Sequence, residues 1–154
     1  GINQFKFALA TSSITGVTAV NLFGYTDTGY SAPISGFSSG QISTSNVAPT
    51  ATAFTITPSA VIQIPAATTY YFEARGTVAG IIVGSSVTTT LNGDTTYPSL
   101  AANMGTSAAV VSASANLVWS PNATTTSTAT HTDWTNGYGV AGLPSSGLSQ
   151  TRSN

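Results

Sequence analysis

Apolar residues recur at every second position in several short stretches of this chain. From Asn3 to Leu9, Phe5, Phe7 and Leu9 alternate with Gln4, Lys6 and Ala8. That is the period of a strand with one buried face. Val17–Tyr25 predicts a second strand, with Val20, Leu22 and Gly24 on one side. Ala53–Thr57 alternates again and stops at Pro58, and Val61–Ile64 is a short apolar piece stopping at Pro65. Thr69–Val78 is the clearest case. Tyr70, Phe72, Ala74, Gly76 and Val78 share one face, and Tyr71, Glu73, Arg75 and Thr77 the other. Ser85–Leu91 is β-branched and runs into Asn92-Gly93-Asp94, a strong turn signal.

Between these stretches lie turn-forming segments. Thr26–Ser45 is rich in Gly and Ser and contains Pro33, so it reads as a loop. Leu100–Met104 has the composition for one helical turn. Thr106–Ser120 lacks Gly and Pro, which admits a helix, but its Val, Ser and Thr favour strand, above all at Asn116–Trp119. After Pro121 come a Thr-rich run, Asp133–Gly142, and a Gly/Pro/Ser tail. Many short strands with turns between them predict an all-β fold, an Ig-like antiparallel β-sandwich with an extended irregular C-terminal segment. The length, 154 residues, fits a single domain over 1–154, loop-rich from 120 onward.

Composition sharpens this. Only 5% of residues are charged, against about 25% in an ordinary globular protein. Three cations and a net charge of −1 make no basic stripe, so the expected partners exclude nucleic acid and anionic lipid. Hydrophobic residues reach 41%, the reverse of the pattern for disorder. Solubility must then rest on neutral hydroxyls, since 48 of the 154 residues are Ser or Thr. A surface with so little charge repulsion favours association, so a homo-oligomer or homopolymer is expected. There is no cysteine, hence no disulfide, thiolate nucleophile or Cys-based metal site. No run of about 18 apolar residues is present, so insertion in a membrane as a helix is not expected. The chain begins at Gly1 rather than Met, as expected of a processed product or an excised piece of a longer chain.

The C-terminal half carries distinctive wording: Trp119-Ser-Pro-Asn-Ala-Thr-Thr-Thr-Ser, then Asp133-Trp-Thr-Asn-Gly-Tyr-Gly-Val, then Gly142-Leu-Pro-Ser-Ser-Gly. It resembles the ends of large Ser/Thr-rich surface proteins of candidate-phyla bacteria (Patescibacteria). The middle, Ile64-Pro-Ala-Ala-Thr-Thr-Tyr-Tyr-Phe-Glu-Ala-Arg-Gly, is similar to a strand of the same domains. The resemblance implies an extracellular or cell-surface Ig-like domain and supplies no catalytic residues.

Candidate chemistry is sparse. His131 and Asp133 with an abundant serine would make a triad on paper, but His131 reads first as an exposed loop histidine. The four acids, Asp27, Glu73, Asp94 and Asp133, are far apart in sequence, which argues against a carboxylate pair for glycoside hydrolysis. Asp27 and Asp94 read as turn residues before calcium ligands. Catalysis, cofactor and metal are therefore not expected. Lys6, Glu73 and Asn116 have the residue types of an isopeptide-forming trio, which needs a buried neutral acid. The alternation turns Lys6 and Glu73 away from their apolar neighbours, so a Glu73–Arg75 or Lys6–Glu73 ion pair is the simpler reading. Asn122-Ala123-Thr124 matches the acceptor pattern for N-glycosylation, and O-linked sugars on Thr124–Thr130 are equally compatible. Tyr25, Tyr30, Tyr97, Tyr138 and Trp134 fall near loops, where aromatics stack on glycans or fill subunit contacts. Trp119 and the phenylalanines read as core.

The expectation is a structural subunit of an extracellular filament, pilus-like, or of a surface layer. Self-assembly would use strand addition. The N-terminal strand, with Ile2, Phe5, Phe7 and Leu9, is the first donor candidate, and the C-terminal tail is the second. A monomeric adhesion or spacer domain, a carbohydrate-binding domain with an aromatic row, and a virion coat protein are the alternatives.

Overall fold

The computed structural model of the chain describes residues 1–96, 108, 111, 115–123, 128–130 and 132–154. Leu100–Met104, Tyr97 and His131 lie outside them. The chain is an all-β sandwich of antiparallel sheets. Strand β1 spans Ile2–Ser12, β2 Gly16–Tyr25, β3 Ala53–Ile56, β4 Tyr71–Ala79, β5 Ser86–Leu91, β6 Leu117–Trp119, β7 Thr135–Asn136 and β8 Leu148–Ser153. The larger sheet has the order β7-β6-β1-β5-β8, with β3 also on β1, and β2 and β4 form the smaller sheet.

Alternation in β1 works as expected on one face. Phe5 and Leu9 are buried and Lys6 is exposed. Phe5 meets Phe72 of β4 with ring centroids 5.2 Å apart, which ties the two sheets together. Leu22, Ile34, Ile42, Phe54 and Ile56 complete the main core. Each such side chain contributes about 1.5–3 kcal/mol on burial.

The other face of the larger sheet is covered too. Within β6, Leu117 belongs to the main core, while Val118 packs with Ala108, Val111, Ala115 and Trp134 in a second apolar cluster. Gln4, on the polar face of the alternation, is therefore buried, and its Nε2 donates to the Ala115 carbonyl at 2.8 Å. Among the described residues of Thr106–Ser120, Leu117–Trp119 form a strand. Ala108 and Val111 are helical, and the Ala115 N–H donates to the Val111 carbonyl at 3.3 Å. The buried positions 108, 111 and 115 follow the helical spacing, which outweighed β-branched propensity.

Strand β2 carries a bulge between Thr18 and Asn21, with Ala19 at φ 51°. Beside the bulge the Asn21 side chain is 1% exposed, covered by the loop at Ser43–Asn46. Its Nδ2 donates to the carbonyls of Ser43 and Ser45, and its Oδ1 accepts from the Leu22 N–H at 2.8 Å and the Ser43 hydroxyl at 3.1 Å. One amide thus pins the loop expected at Thr26–Ser45 against the sheet. The described residues between Pro121 and Gly147 are loop apart from β7, but the chain closes with the six-residue β8, which holds the tail to β5.

Candidate assembly edges and the intersheet cleft

In an antiparallel ladder the N–H and C=O of one residue point to the same edge, and alternate residues point to opposite edges. This rule shows which edges are free. The Lys6 N–H donates to the Asn116 carbonyl on one side of β1, and the Leu9 N–H to the Thr52 carbonyl on the other. On the first side β1 pairs with β6 and then with β5; on the second it pairs with β3 and, through Ile2, with Ile62. Ile2, Phe5, Phe7 and Leu9 thus lie in an interior strand hydrogen-bonded on both edges. In the single chain they are not free to be lent to a neighbour.

Among the described residues β3, β4, β7 and β8 each pair with one strand only, and β4 and β8 are the longest of the four. Val20, Leu22 and Gly24 of β2 bond to Val47, Ile42 and Ile34, so the intervening residues of β2 face β4. These are Asn21, Phe23 and Tyr25, opposite Arg75, Glu73 and Tyr71. Phe72, Ala74 and Gly76 therefore point their backbone groups outward. The same counting through β5 turns Ser149, Thr151 and Ser153 of β8 outward, because Leu148, Gln150 and Arg152 face Leu91, Thr89 and Val87.

A cleft of about 630 Å³ lies between β4 and the inner faces of β5 and β8. Phe7, Phe72, Val87 and Leu91 line it, with Leu148 and Arg152 toward its rim. Beside it, the loop between β4 and β5 presents Ile81, Ile82 and Val83 at 53%, 60% and 92% exposure. The loop is braced: Ile82 N–H donates to Ser85 Oγ at 2.8 Å, and Asn154 Nδ2 donates to the Ile82 carbonyl at 3.3 Å.

Glu73 and Arg75 lie on β4 and Arg152 on β8. Arg75 donates from Nε and Nη2 to Glu73 Oε2, at 2.9 and 2.7 Å, and from Nη2 to the Tyr25 hydroxyl at 2.7 Å. Its guanidinium lies 4.4 Å from the centre of the Phe23 ring. The Glu73 carboxylate raises the Arg75 pKa further above its ordinary value. The Glu73–Arg75 ion pair is thus present. Lys6 is exposed on the larger sheet, while Asn116 Nδ2 donates to the Gly93 carbonyl at 3.0 Å. Nothing described brings Glu73 to that pair.

The remaining candidates sit apart. Asn122, half-buried, donates from Nδ2 to Gln63 Oε1 at 2.9 Å. Asp133 Oδ2 accepts from the Ala123 N–H at 3.2 Å. Asp27 closes its own turn, accepting from the Ser31 and Ala32 N–H groups and the Ser31 hydroxyl. Asp94 staples three segments, accepting from the N–H groups of Asn116, Leu117 and Gly137. Both acids act as turn and backbone anchors.

Two aromatics read as loop residues are in fact buried. Trp134 is 1% exposed in the second cluster and donates from Nε1 to the Thr128 carbonyl at 2.9 Å. Tyr25 is 4% exposed beneath Tyr30, whose ring meets it edge-on at 5.5 Å. The exposed Tyr30 borders the intersheet cleft, and the exposed Tyr138 lines a separate pocket beside Asp94. The described aromatics form no exposed row. The free edges were missed because edge status is a property of the whole sheet order, and no local signal marks it. Among the described residues, no helix is long and apolar enough to cross a membrane. Comparison of the chain with protein-family models, with curated proteins and with solved structures finds no match.

Proposed function

We propose that this chain is a structural subunit of an extracellular filament or surface layer, a homopolymer built by strand addition and neutral hydroxyl-rich contacts. The observation that carries the reading is the free edge of β8. Its six residues are all exposed, and it contains no proline and no bulge. Natural monomers usually blunt an edge strand with such devices, because an open ladder recruits another chain. Thr88 and Thr151 share a hydroxyl hydrogen bond at 2.7 Å, and Thr90 and Ser149 one at 2.8 Å, so the outer surface beside this edge is a lattice of neutral hydroxyls. With so few charges, little repulsion opposes the approach of copies. Sugars on Asn122 or on the Thr-rich run from Thr124 belong to the same reading of a cell-surface protein.

Electron microscopy of concentrated protein tests it. Ordered filaments or sheets, with a repeat that accommodates one 15.5 kDa domain, are the expected result. Isolated particles at every concentration would replace it with a monomeric adhesion or spacer domain, for which glycan binding becomes the next measurement.

A further inference from the structure

We propose that β8 is a self-pairing edge: it joins antiparallel to β8 of a second copy about a two-fold axis at Thr151, making one continuous sheet across the dimer. The inference rests on the self-association reading and names its first interface.

Of the two long free edges, only β8 is open to a whole second domain. β4 runs above the cleft, with β5 and β8 beneath its free side, so a domain approaching β4 meets the larger sheet first. β8 is the rim of that larger sheet.

The outward groups dictate the register. Ser149, Thr151 and Ser153 carry the unpaired N–H and C=O groups, and an antiparallel partner must set such residues opposite one another. A two-fold centred on Thr151 does so. Thr151 faces Thr151 of the second copy and Ser149 faces Ser153, which gives about six new backbone hydrogen bonds. Charge separates this register from its neighbours. Centring on Arg152 stacks two guanidiniums, a destabilising like-charge pair. Centring on Gln150 leaves Arg152 opposite Leu148. Centring on Thr151 sets Arg152 opposite Gln150, whose side-chain carbonyl accepts from a guanidinium.

Apolar surface points the same way. In this register Leu148 of one copy comes opposite Asn154 of the other. Asn154 holds the Ile81–Val83 loop, through its Nδ2 to the Ile82 carbonyl and its C=O from the Gly84 N–H at 3.1 Å. Leu148 is 54% exposed, so the pairing brings it beside the exposed apolar Ile81–Val83 loop, on both sides of the axis. Leu148 and Ile81 both border the cleft, so they share a face of the sheet. On the opposite face the Thr88–Thr151 hydroxyl pair continues into its symmetry mate, a row of hydroxyls crossing the interface.

Single-cysteine variants read the register directly, because the chain has no other cysteine. Directly opposite residues of such a pair lie about 5.5 Å apart at Cα, within disulfide range. Under mild oxidation Thr151→Cys is expected to give a linked dimer of about 31 kDa, twice the chain mass. Ser149→Cys alone is expected to link at least about tenfold more slowly, since its partner position is Ser153. Thr151→Pro provides a second arm. Its N–H points away from β5, so the monomer keeps its fold, while dimer affinity falls at least about tenfold. A variant-free check is amide exchange, with Ser149, Thr151 and Ser153 protected only as concentration rises. If the wild-type protein assembles but Thr151→Cys links no faster than Ser149→Cys and Thr151→Pro has no effect, the β8 pairing is wrong and the assembly reading stands on another surface. A 15.5 kDa monomer at all concentrations overturns both.

Discussion

The carboxylate of Asp94 accepts the backbone N–H of Gly137 at 2.7 Å, across 43 residues of chain. The same carboxylate takes the N–H groups of Asn116 at 2.8 Å and Leu117 at 3.4 Å. One side chain therefore supplies the hydrogen-bond acceptors where the segment after β5, β6 and β7 converge. Removing it leaves buried donors without partners, and charged hydrogen bonds are worth about 1.5–3 kcal/mol each. Asp94→Ala is expected to destabilise the domain by about 3 kcal/mol in urea unfolding. Asp94→Asn, which keeps one carbonyl oxygen, is expected to lose less.

Gly147 tests the placement of β8. It sits at φ 83°, and a Cβ there would collide with Asn92 Oδ1 and Thr90 Cγ2. Both the left-handed backbone and the close approach demand glycine. Gly147→Ala is expected to cost about 1–3 kcal/mol. It should also raise exchange of the Leu148–Ser153 amides before the rest of the sheet, as read by hydrogen–deuterium exchange.

Asp27 supplies the acid-sensitive turn. Hydrogen bonds from the Ala32 N–H and then from the Ser31 hydroxyl hold its pKa below the ordinary 3.8. A depressed folded value means that the ionised form favours the native turn. Its contribution is complete above the unfolded pKa and is lost as pH falls through the folded one. An NMR titration of the Asp27 carboxyl is expected to show a midpoint under 3.8, and Asp27→Asn should remove the acid dependence of the Ser31 and Ala32 amide shifts.

Trypsin distinguishes the two exposed arginines. Arg75 lies within β4, paired with β2 and held by Glu73, Tyr25 and the Phe23 ring. Arg152 lies on the rim strand, whose six residues are all exposed. Limited digestion of the folded protein is expected to trim after Arg152 while the Arg75–Gly76 bond survives. Cutting at Arg75 as fast as at Arg152 would show that β4 is not a stable strand.

Much of the architecture was legible because strand alternation is a local signal. Phe5 with Leu9, Val20 with Leu22, and the inward Phe72 fall where period two puts them. The end of β5 at Leu91 was legible too, but Asn92-Gly93-Asp94 runs on without the turn its residues suggest, and the reach of Asp94 to Gly137 carried no signal. Coverage of the second face was hidden. Gln4 looks like a solvent-facing partner to Phe5, and only the packing of Val111, Val118 and Trp134 over it explains its burial. Asn21 was hidden for a related reason, since the loop at Ser43–Asn46 covers the face opposite Val20 and Leu22. β8 was read as tail because Leu-Ser-Gln-Thr-Arg-Ser has a single apolar residue. A rim strand has little to bury, so its pattern carries almost no hydrophobic signal.

The arrangement of the first and last strands sets how the domain answers to pulling. β1 and β8 are each antiparallel to β5 and so run in the same direction, with Ser12, Ser86 and Ser153 abreast at one end. Ile2 lies ten residues back along β1, about 33 Å from that end. Tension between the two terminal strands is thus directed along the ladders. The hydrogen bonds of β5 to β1 and to β8 share the load in shear and must yield together, where a peeling geometry would break them one at a time. A chain threaded this way is a stiff link.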